Sequence, residues 1–336
     1  MDIRILVIMK NHFIITFTLL ISLTFLSSCY QDINLDEYKG QNGEHLLTIN
    51  SIINPDSTIA AAVTKTYFFS DVHDARDYVS DLDIRIKVNG SERGKMKFNP
   101  ITNLYVSTIK PSEKDTVELF TSYMGKKITC RDEVPSDVSI ESVSVTRQGP
   151  MAIYSDNDYI FTYKITFSDP ADVKNYYFLH YDMEMSSNNL MMGERDYTFE
   201  YVFQQLANNI NANIPGWTPY SPDGLPFTDE GINGQSHTLV VKEIVQGGYG
   251  SHLTRYNEMK RKFKLFSISK DYYEYLLSVL YNDTDSEGLH GGMIDLGISE
   301  PMKYFSNIMG GIGIFASYSL DETDLDVIQI CGRFPK

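Results

Sequence analysis

Alternation of apolar and polar residues with a period of two dominates the chain and is clearest at residues 82–88. A strand with this pattern buries one face and exposes the other to water. Asn89-Gly90 follows directly, and this dipeptide favours a type I′ turn because both residues tolerate positive φ. The pattern therefore predicts a β-hairpin, whose returning strand carries Met96 and Phe98.

Further segments of this kind occur along the chain. They predict strands at 47–49, 61–69, 117–123, 161–167, 177–185, 239–241 and 263–268. Val134-Pro135-Ser136-Asp137 separates two sets of strands and indicates a domain boundary. Short strands with turns between them are typical of antiparallel sandwiches. The predicted fold is mainly β, with two antiparallel, immunoglobulin-like β-sandwich domains at residues 41–135 and 136–336, the second larger and containing helical insertions.

Two segments in the second domain have apolar residues at helical spacing instead. The first covers residues 197–210, and its stripe consists of Phe199, Val202, Phe203 and Leu206. The second begins at Ser269, which is a favourable N-cap, and its stripe consists of Tyr272, Tyr275, Leu276 and Val279. Aromatic stripes of this kind are more typical of a core than of a ligand site.

The N-terminal segment has neither the alternation of a strand nor the spacing of an amphipathic helix. A basic start at Lys10 precedes an apolar run over residues 13–26, and small residues then lead to Cys29, as in a secretory signal. The run is too short and too interrupted by Thr and Ser for a membrane span. Leu26-Ser27-Ser28-Cys29 resembles the lipobox of bacterial lipoproteins. Residues 1–28 are therefore predicted to be a signal peptide and residues 29–40 a lipidated tether.

The lipobox resemblance implies that Cys29 is acylated and becomes the new N-terminus. Several acyl chains hold a protein firmly in a membrane, since each buried CH₂ contributes ~0.8 kcal/mol. Acidic residues after such a cysteine direct some Bacteroidetes lipoproteins to the cell surface, and Asp32, Asp36 and Glu37 follow here. We expect an outer-membrane protein that is anchored to lipid through Cys29, on the periplasmic or the cell-surface face.

Charge and cysteine content narrow the function classes. The formal net charge of −15 argues against nucleic acid as a partner, because nucleic-acid binding needs a basic footprint. Besides Cys29 the chain has only Cys130 and Cys331. An oxidising compartment permits a disulfide between them. The alternative, which we favour, is two separate buried thiols, because the sequence cannot show that their Cα atoms come within reach.

The search for catalytic or metal motifs finds no complete one. Ser236-His237 lacks the glycine pattern of a nucleophile elbow, and His180 is expected to be solvated or to cap a carbonyl. The glycine clusters at 246–250 and 310–313 indicate bulges and tight turns. Residues 283–288 begin like a calcium-binding loop, but Ile294 replaces its final acid, so this run and the run at 321–326 indicate solvated loops. Neither an enzyme nor a metal or cofactor is predicted.

A Pro/Gly-rich stretch at residues 214–233 is the candidate binding loop. It contains the only tryptophan of the chain, Trp217, together with Tyr220 and Phe227. Exposed aromatic residues on loops are common interface hot spots. The alternative is that Trp217 fills the core of the second domain.

Several motifs, in this order, resemble one family: Ile52-Ile53-Asn54-Pro55-Asp56-Ser57, Phe227-Thr228-Asp229-Glu230 with Asn233-Gly234, and Tyr304-Phe305-Ser306-Asn307-Ile308 before Gly310-Gly311-Ile312-Gly313-Ile314-Phe315. With the lipoprotein signal, they resemble the Bacteroidetes lipoproteins grouped as domain of unknown function 4249. That family has no established activity. Its members often lie beside genes for TonB-dependent outer-membrane receptors, which implies a transport-associated role, and its motifs look structural.

The expected function is thus that of a non-enzymatic accessory or binding partner of a TonB-dependent transporter. The alternative is a structural or adhesive surface lipoprotein in an extracellular assembly. A hydrolase would require a histidine and an acid to meet Ser236 in a cleft.

Overall fold

The computed structural model describes residues 45–67, 78–154, 158–171, 173–185, 194–211, 224–245, 259–285 and 303–332. All of these except Tyr67 fall in one compact unit. Within these ranges the chain forms sixteen strands and three helices. The mainly β fold predicted by the alternating sequence is therefore confirmed.

The strands are β1 (Leu47–Ile53), β2 (Ala60–Lys65), β3 (Arg85–Val88), β4 (Ser91–Lys95), β5 (Lys97–Asn99), β6 (Leu104–Val106), β7 (Thr116–Tyr123), β8 (Lys126–Glu133), β9 (Ile140–Met151), β10 (Asp158–Ser168), β11 (Tyr176–Met185), β12 (Glu194–Asp196), β13 (Leu225–Thr228), β14 (Ser236–Val245), β15 (Met259–Ile268) and β16 (Ile312–Asp326). The helices are α1 (Tyr201–Asn211), α2 (Lys270–Asp285) and α3 (Val327–Cys331).

Three sheets organise these strands. The largest has eight strands in the order β13-β11-β15-β16-β1-β2-β6-β5, and the others have the orders β12-β14-β10-β9 and β4-β3-β7-β8. β1 pairs with β16 in parallel, from Thr48 opposite Ile312 to Ile53 opposite Ser317. The eight-stranded sheet thus runs through both regions that the sequence assigns to separate domains.

Two hydrophobic cores lie along this shared sheet. The first core consists of buried apolar residues between Leu47 and Val134, together with Ile308 and Phe315. The second core consists of buried apolar residues between Val138 and Val327. The predicted boundary at residue 135 therefore marks a change of core, yet β16 contributes to both cores. The two cores lie within one compact unit. Two separate immunoglobulin-like sandwich domains are therefore not confirmed.

Glycines allow the close pairing of β1 with β16. Gly313 has a φ of 113°, and a Cβ atom there would lie 2.1 Å from the carbonyl oxygen of Ile49. A Cβ atom on Gly311 would lie 2.5 Å from the carbonyl oxygen of Leu47. Only glycine fits such a close backbone approach. The glycine cluster at 310–313 thus has a structural role, in agreement with the sequence interpretation.

The predicted hairpin is confirmed at its turn. Asn89 and Gly90 have φ values of 52° and 78°, as a type I′ turn requires. The amide of Met96 still donates to the carbonyl of Ile84 at 2.8 Å. Phe98, however, lies in β5, which pairs with β6 in the eight-stranded sheet, so the returning strand passes from one sheet to another.

The helices agree with the sequence in existence but not in every detail. α1 begins at Tyr201, four residues later than predicted, and Phe199 is exposed, with the Lys242 ammonium 3.3 Å from its ring centre. The Ser269 cap of α2 is confirmed, since its Oγ accepts from the Tyr272 amide at 3.2 Å. The side chains of α2 that pack on the second core are Leu277, Leu280 and Tyr281, a different stripe from the predicted one.

The acidic run at 321–326 is a strand, which corrects its interpretation as a solvated loop. These residues form the end of β16 and face basic residues of β15 across the sheet. Lys262 lies opposite Asp324, and its Nζ is 3.2 Å from Glu322 Oε1. Cross-strand pairs of opposite charge stabilise a sheet, so the acidic run becomes compatible with strand structure through a partner distant in sequence.

Candidate functional site

Three connections meet where the two cores adjoin: the linker Val134, Pro135 and Ser136, the turn between β10 and β11, and the junction of β15 with α2. Two adjoining clefts open here. The linker cleft, lined by the linker itself, has a volume of about 450 Å³. The helical cleft, lined by α1 and α2, has a volume of about 530 Å³. Lys174, Tyr176 and Lys270 line both clefts, so the two form one continuous candidate site.

The helical cleft combines an apolar floor with a polar rim. Its floor is formed by Val202, Leu206, Phe227 and Leu277. Its polar and charged side chains include Gln205, Asn209, Glu230 and Glu274. Tyr176 and Tyr273 lie beside each other with ring centres 5.1 Å apart. Most residues of the described lining are polar, and the apolar floor is its smaller part.

The linker cleft is rich in cationic side chains. Lys114, Lys174 and Lys270 line it, and within the described ranges none of the three forms an ion pair. The Nζ of Lys174 lies 5.6 Å from the ring centre of Tyr176. In a chain with net charge −15, three lysines against two acids in the described lining of one cleft form a local positive centre.

Two buried polar atoms in the wall of the linker cleft lack hydrogen-bond partners in the described chain. Ser267 is 2% exposed, and its Oγ has no partner. Oδ1 of Asn175 is likewise buried and unsatisfied. Native proteins satisfy the large majority of buried polar atoms, so these two exceptions call for an explanation.

Asp132 forms the acidic part of the same wall. Its Oδ2 accepts a hydrogen bond from Ser317 Oγ at 2.7 Å, and Ser269 also hydrogen bonds to it. Burial raises the pKa of Asp132 to about 7, despite these two hydrogen bonds. The cleft therefore contains a carboxyl group that changes its charge near neutral pH, which is a common property of functional sites.

Two aspartates hold the turn that carries Lys174 and Asn175. Asp229 Oδ2 accepts from the Asn175 amide at 2.7 Å and from Asn233 Nδ2 at 3.0 Å. Asp169 Oδ2 accepts from the Gly234 amide at 2.9 Å. Neighbouring turns are thereby bonded into one rigid wall. The motif at residues 227–234 thus has a structural role in supporting the site.

Asn307 has a comparable role at the other motif. Its Nδ2 donates to Asp271 Oδ2 at 2.7 Å, and its Oδ1 accepts from the Phe315 amide at 2.9 Å. The side chain therefore connects the first turn of α2 to β16. This contact fixes the start of α2, including Lys270, relative to the shared sheet.

The predicted binding loop is corrected in one residue. Trp217 and Tyr220 lie outside the described residues, as do Cys29 and the signal peptide. Phe227 is 1% exposed in β13, and its ring packs on those of Tyr177 and Phe203 at 5.2 and 5.4 Å. It is therefore a core residue that supports the floor of the helical cleft, because its alternation partners in β13 also face the core.

The disulfide considered from the sequence is absent. Cys130 and Cys331 are both free thiols. Cys130 is buried in the first core, and its burial raises its pKa to about 12. Cys331 lies on α3 against the second core, with its Sγ 4.0 Å from the carbonyl oxygen of Val145. Because the two residues belong to different cores, the alternative of two separate thiols is correct.

Among the described residues, histidines meet acids at positions other than Ser236. Nε2 of His237 lies 2.9 Å from Glu200 Oε1, and Glu200 Oε2 accepts from the Val240 amide at 2.8 Å. Consecutive residues of a strand point to opposite faces, so Ser236 does not share the face of His237. The contacts of Glu200 with His237 and Val240 join the start of α1 to β14. The other described pair of this kind is His180 with Asp182, whose Nε2 and Oδ1 lie 2.7 Å apart.

Metal sites and membrane helices were also sought. In the part of the chain that the structure describes, no three His, Cys, Asp or Glu side chains are grouped so as to hold a metal ion. No helix within these same ranges is long and apolar enough to cross a membrane.

Sequence reasoning did not find the linker cleft, although one signal was present. Ser267 continues the apolar face of Phe263 and Leu265 in β15, so it is a polar residue where the alternation requires an apolar one. The three lysines come from distant segments, and no local pattern connects them.

Comparisons with known proteins give one extensive match. A family model described as "Domain of unknown function (DUF4249)" matches residues 31–324. Comparison with curated proteins finds no match. Among solved structures, the chain is similar to a protein from Corynebacterium diphtheriae whose description calls it membrane anchored, with 9% identity and a TM-score of 0.21, over 67% of this chain and 54% of that chain. The chain thus spans about half of that protein, and so low a TM-score carries no argument about fold or function.

Proposed function

The chain belongs to the DUF4249 family, and we propose that it is a lipid-anchored, non-enzymatic ligand-binding protein that acts as an accessory partner of a TonB-dependent transporter in the outer membrane. In this proposal Cys29 carries the acyl chains, and the two adjoining clefts hold the ligand. The protein captures the ligand at the membrane and presents it to the transporter.

The continuous pair of clefts is the observation that supports binding as the function. Together they offer an apolar floor, amide and carboxylate groups on the rim, and a cationic end. Pockets of this size are typical of small-molecule sites. The motifs at 227–234 and 304–315 support the walls of this site through Asp229 and Asn307, which gives these motifs a role in binding without a catalytic step.

The length of the segment before β1 is compatible with such a partner. Fifteen residues separate Cys29 from His45. A chain of that length reaches at most about 55 Å when fully extended. His45 therefore stays within about 55 Å of the membrane, in which a transporter would also be embedded.

Co-purification tests the proposal. The full-length protein, tagged at its C-terminus and expressed in a Bacteroidetes host, is extracted in mild detergent and captured. We expect a TonB-dependent receptor in stoichiometric amount. Cys29→Ala is the matched variant, since it removes the anchor and leaves the described residues unchanged, and it should lose both membrane fractionation and the receptor.

Two outcomes contradict the proposal. Recovery of a surface polymer or a host glycoprotein without a receptor would favour the structural or adhesive alternative. Normal processing and outer-membrane fractionation of Cys29→Ala would show that the anchor is assigned wrongly.

A further inference from the structure

We infer that the linker cleft binds an acid group of the ligand, a carboxylate or a phosphate, through Ser267 and the lysines at 114, 174 and 270. This inference rests on the proposed binding function and adds the chemical class of the ligand. It assigns the cationic end of the site to the acid group and leaves the helical cleft for the rest of the molecule.

Ser267 is the first observation that points to a ligand. Its side chain lines the cleft and is 98% buried, yet its hydroxyl has no partner in the described chain. Neighbouring serines show the ordinary behaviour, since Ser317 Oγ donates to Asp132 and Ser319 Oγ donates to the carbonyl of Pro135, both at 2.7 Å. A ligand oxygen in the cleft would accept the hydrogen bond that Ser267 is able to donate.

Charge is the second observation. The three lysines reach the cleft from the β7 approach, the β10–β11 turn and the start of α2, and within the described ranges they form no ion pair. The acidic groups of the lining are Asp132, whose oxygens accept from Ser317 and Ser269, and the exposed Glu133. Among the described residues of the lining, three cations therefore stand against two anions, and the excess increases when Asp132 is protonated.

The start of α2 adds to this positive centre. Ser269 caps the helix, and Lys270 is its first residue. The N-terminus of a helix carries a partial positive charge and attracts anions. The first-turn acid, Asp271, already accepts a hydrogen bond from Asn307 at 2.7 Å. A bound acid group would thus lie beside the N-terminus of a sixteen-residue helix, the buried hydroxyl of Ser267 and three lysine ammonium groups.

Asn175 indicates that the ligand also has a hydrogen-bond donor near its acid group. Its buried Oδ1 is an acceptor without a donor in the described chain. An O–H or N–H group next to the acid group would satisfy it, as in a hydroxy acid or an amino acid. Because Lys174 and Tyr176 line both clefts, the body of the ligand continues from this point over the apolar floor of the helical cleft.

Titration with two simple anions tests the inference. The full-length protein in detergent is titrated with inorganic phosphate and, separately, with acetate, at constant ionic strength set by chloride. Binding is followed by calorimetry and by the rise in Tm, which grows with ligand concentration above Kd. We expect saturable binding of at least one anion at a single site, and the anion that binds identifies the acid group as phosphate or carboxylate.

Two substitutions localise the site. Lys270→Gln should weaken binding about tenfold, because a charge-assisted hydrogen bond is lost. Ser267→Ala should also weaken binding, while the Tm of the free protein stays equal or rises, since an unsatisfied buried hydroxyl is removed. Lys97→Gln makes the same charge change on β5, away from both clefts, and should leave the affinity unchanged.

Several results would overturn the inference. These are failure of both anions to bind, equal weakening by Lys97→Gln, and unchanged binding in Ser267→Ala and Lys270→Gln. The co-purification experiment does not use these anions or variants. Loss of the transporter partner with retained anion binding would therefore reject the proposed accessory role alone, and the reverse result would reject the acid-group assignment alone.

Discussion

The two cores of this protein are built by different means. Among the described residues, the first core is mostly aliphatic and contains two aromatic rings, Tyr105 and Phe315. The second contains ten aromatic rings, and many of them are in contact, as Tyr163 and Phe263 are at 5.3 Å. The second core also encloses a buried ion pair. The first core therefore relies on apolar burial alone, whereas the second depends on polar groups that must be satisfied inside it.

Arg261 and Glu243 form that ion pair. Both side chains are 0% exposed, and Arg261 Nη2 lies 2.7 Å from Glu243 Oε1. Arg261 Nε and the hydroxyl of Tyr163 donate to the other oxygen, at 3.1 and 2.7 Å. Desolvation of buried charges is costly, and three hydrogen bonds to one carboxylate offset this cost. The stability of this region therefore depends on the geometry of the ion pair as well as on apolar burial.

The largest predicted effect breaks this pair. Arg261→Ala leaves a buried carboxylate without its cation and should lower the free energy of unfolding by about 3–5 kcal/mol. Lys262→Ala, at the next residue in β15, removes partly exposed pairs with Glu322 and Asp324 and should cost about 1 kcal/mol. Urea denaturation of both variants measures the difference. Equal costs would show that the second core does not depend on its ion pair.

A smaller effect is expected where the cores are joined. Gly313→Ala forces a Cβ atom against the Ile49 carbonyl and adds strain at a φ of 113°, so it should cost at least about 2 kcal/mol. Gly90 has a φ of 78°, and a Cβ atom added there would have no heavy atom within 4 Å. Gly90→Ala should therefore lower the free energy of unfolding by about 1 kcal/mol, through backbone strain alone. Comparing the loss of Tm in these two variants separates the effect of the steric contact from that of the backbone strain. A similar loss of Tm in both would contradict the close approach of β1 and β16.

The last effect depends on pH and involves Asp132, which lies between the cores. Its pKa is raised by burial from 3.8 to about 7, so the folded protein holds this proton more tightly than the unfolded chain does. The resulting stabilisation is complete below about pH 4 and is lost as the pH rises through 7. In Asp132→Asn this contribution does not titrate. The Tm of Asp132→Asn relative to the native protein should therefore increase from pH 5 to pH 8, and a constant difference would refute the raised pKa.

Local features of the fold could be predicted from the sequence, whereas long-range ones could not. The Asn89-Gly90 turn and the Ser269 cap follow from a few adjacent residues, and both are confirmed. The acidic end of β16 could not be recognised as a strand, because its basic partners in β15 lie about sixty residues earlier. Phe227 was assigned to a loop because the preceding Pro/Gly-rich residues conceal the short strand β13.

The candidate site shows the same limit more strongly. Ser267 departs from the apolar face of β15, but a single departure of this kind occurs for many reasons. Lys114, Lys174 and Lys270 meet only because three connections converge between the cores. Their convergence is a property of sheet topology, which residue patterns within one segment do not specify.

The parallel pairing of β1 with β16 also imposes an order on folding. Asn50 of β1 accepts a hydrogen bond from the amide of Ile314, which is 264 residues later in the chain. Synthesis begins at the N-terminus, so β1 is made long before its partner strand β16. The largest sheet cannot close until almost the entire chain has been made. Contacts of such long sequence separation slow folding, and the open edge of β1 is exposed to wrong partners until β16 pairs with it.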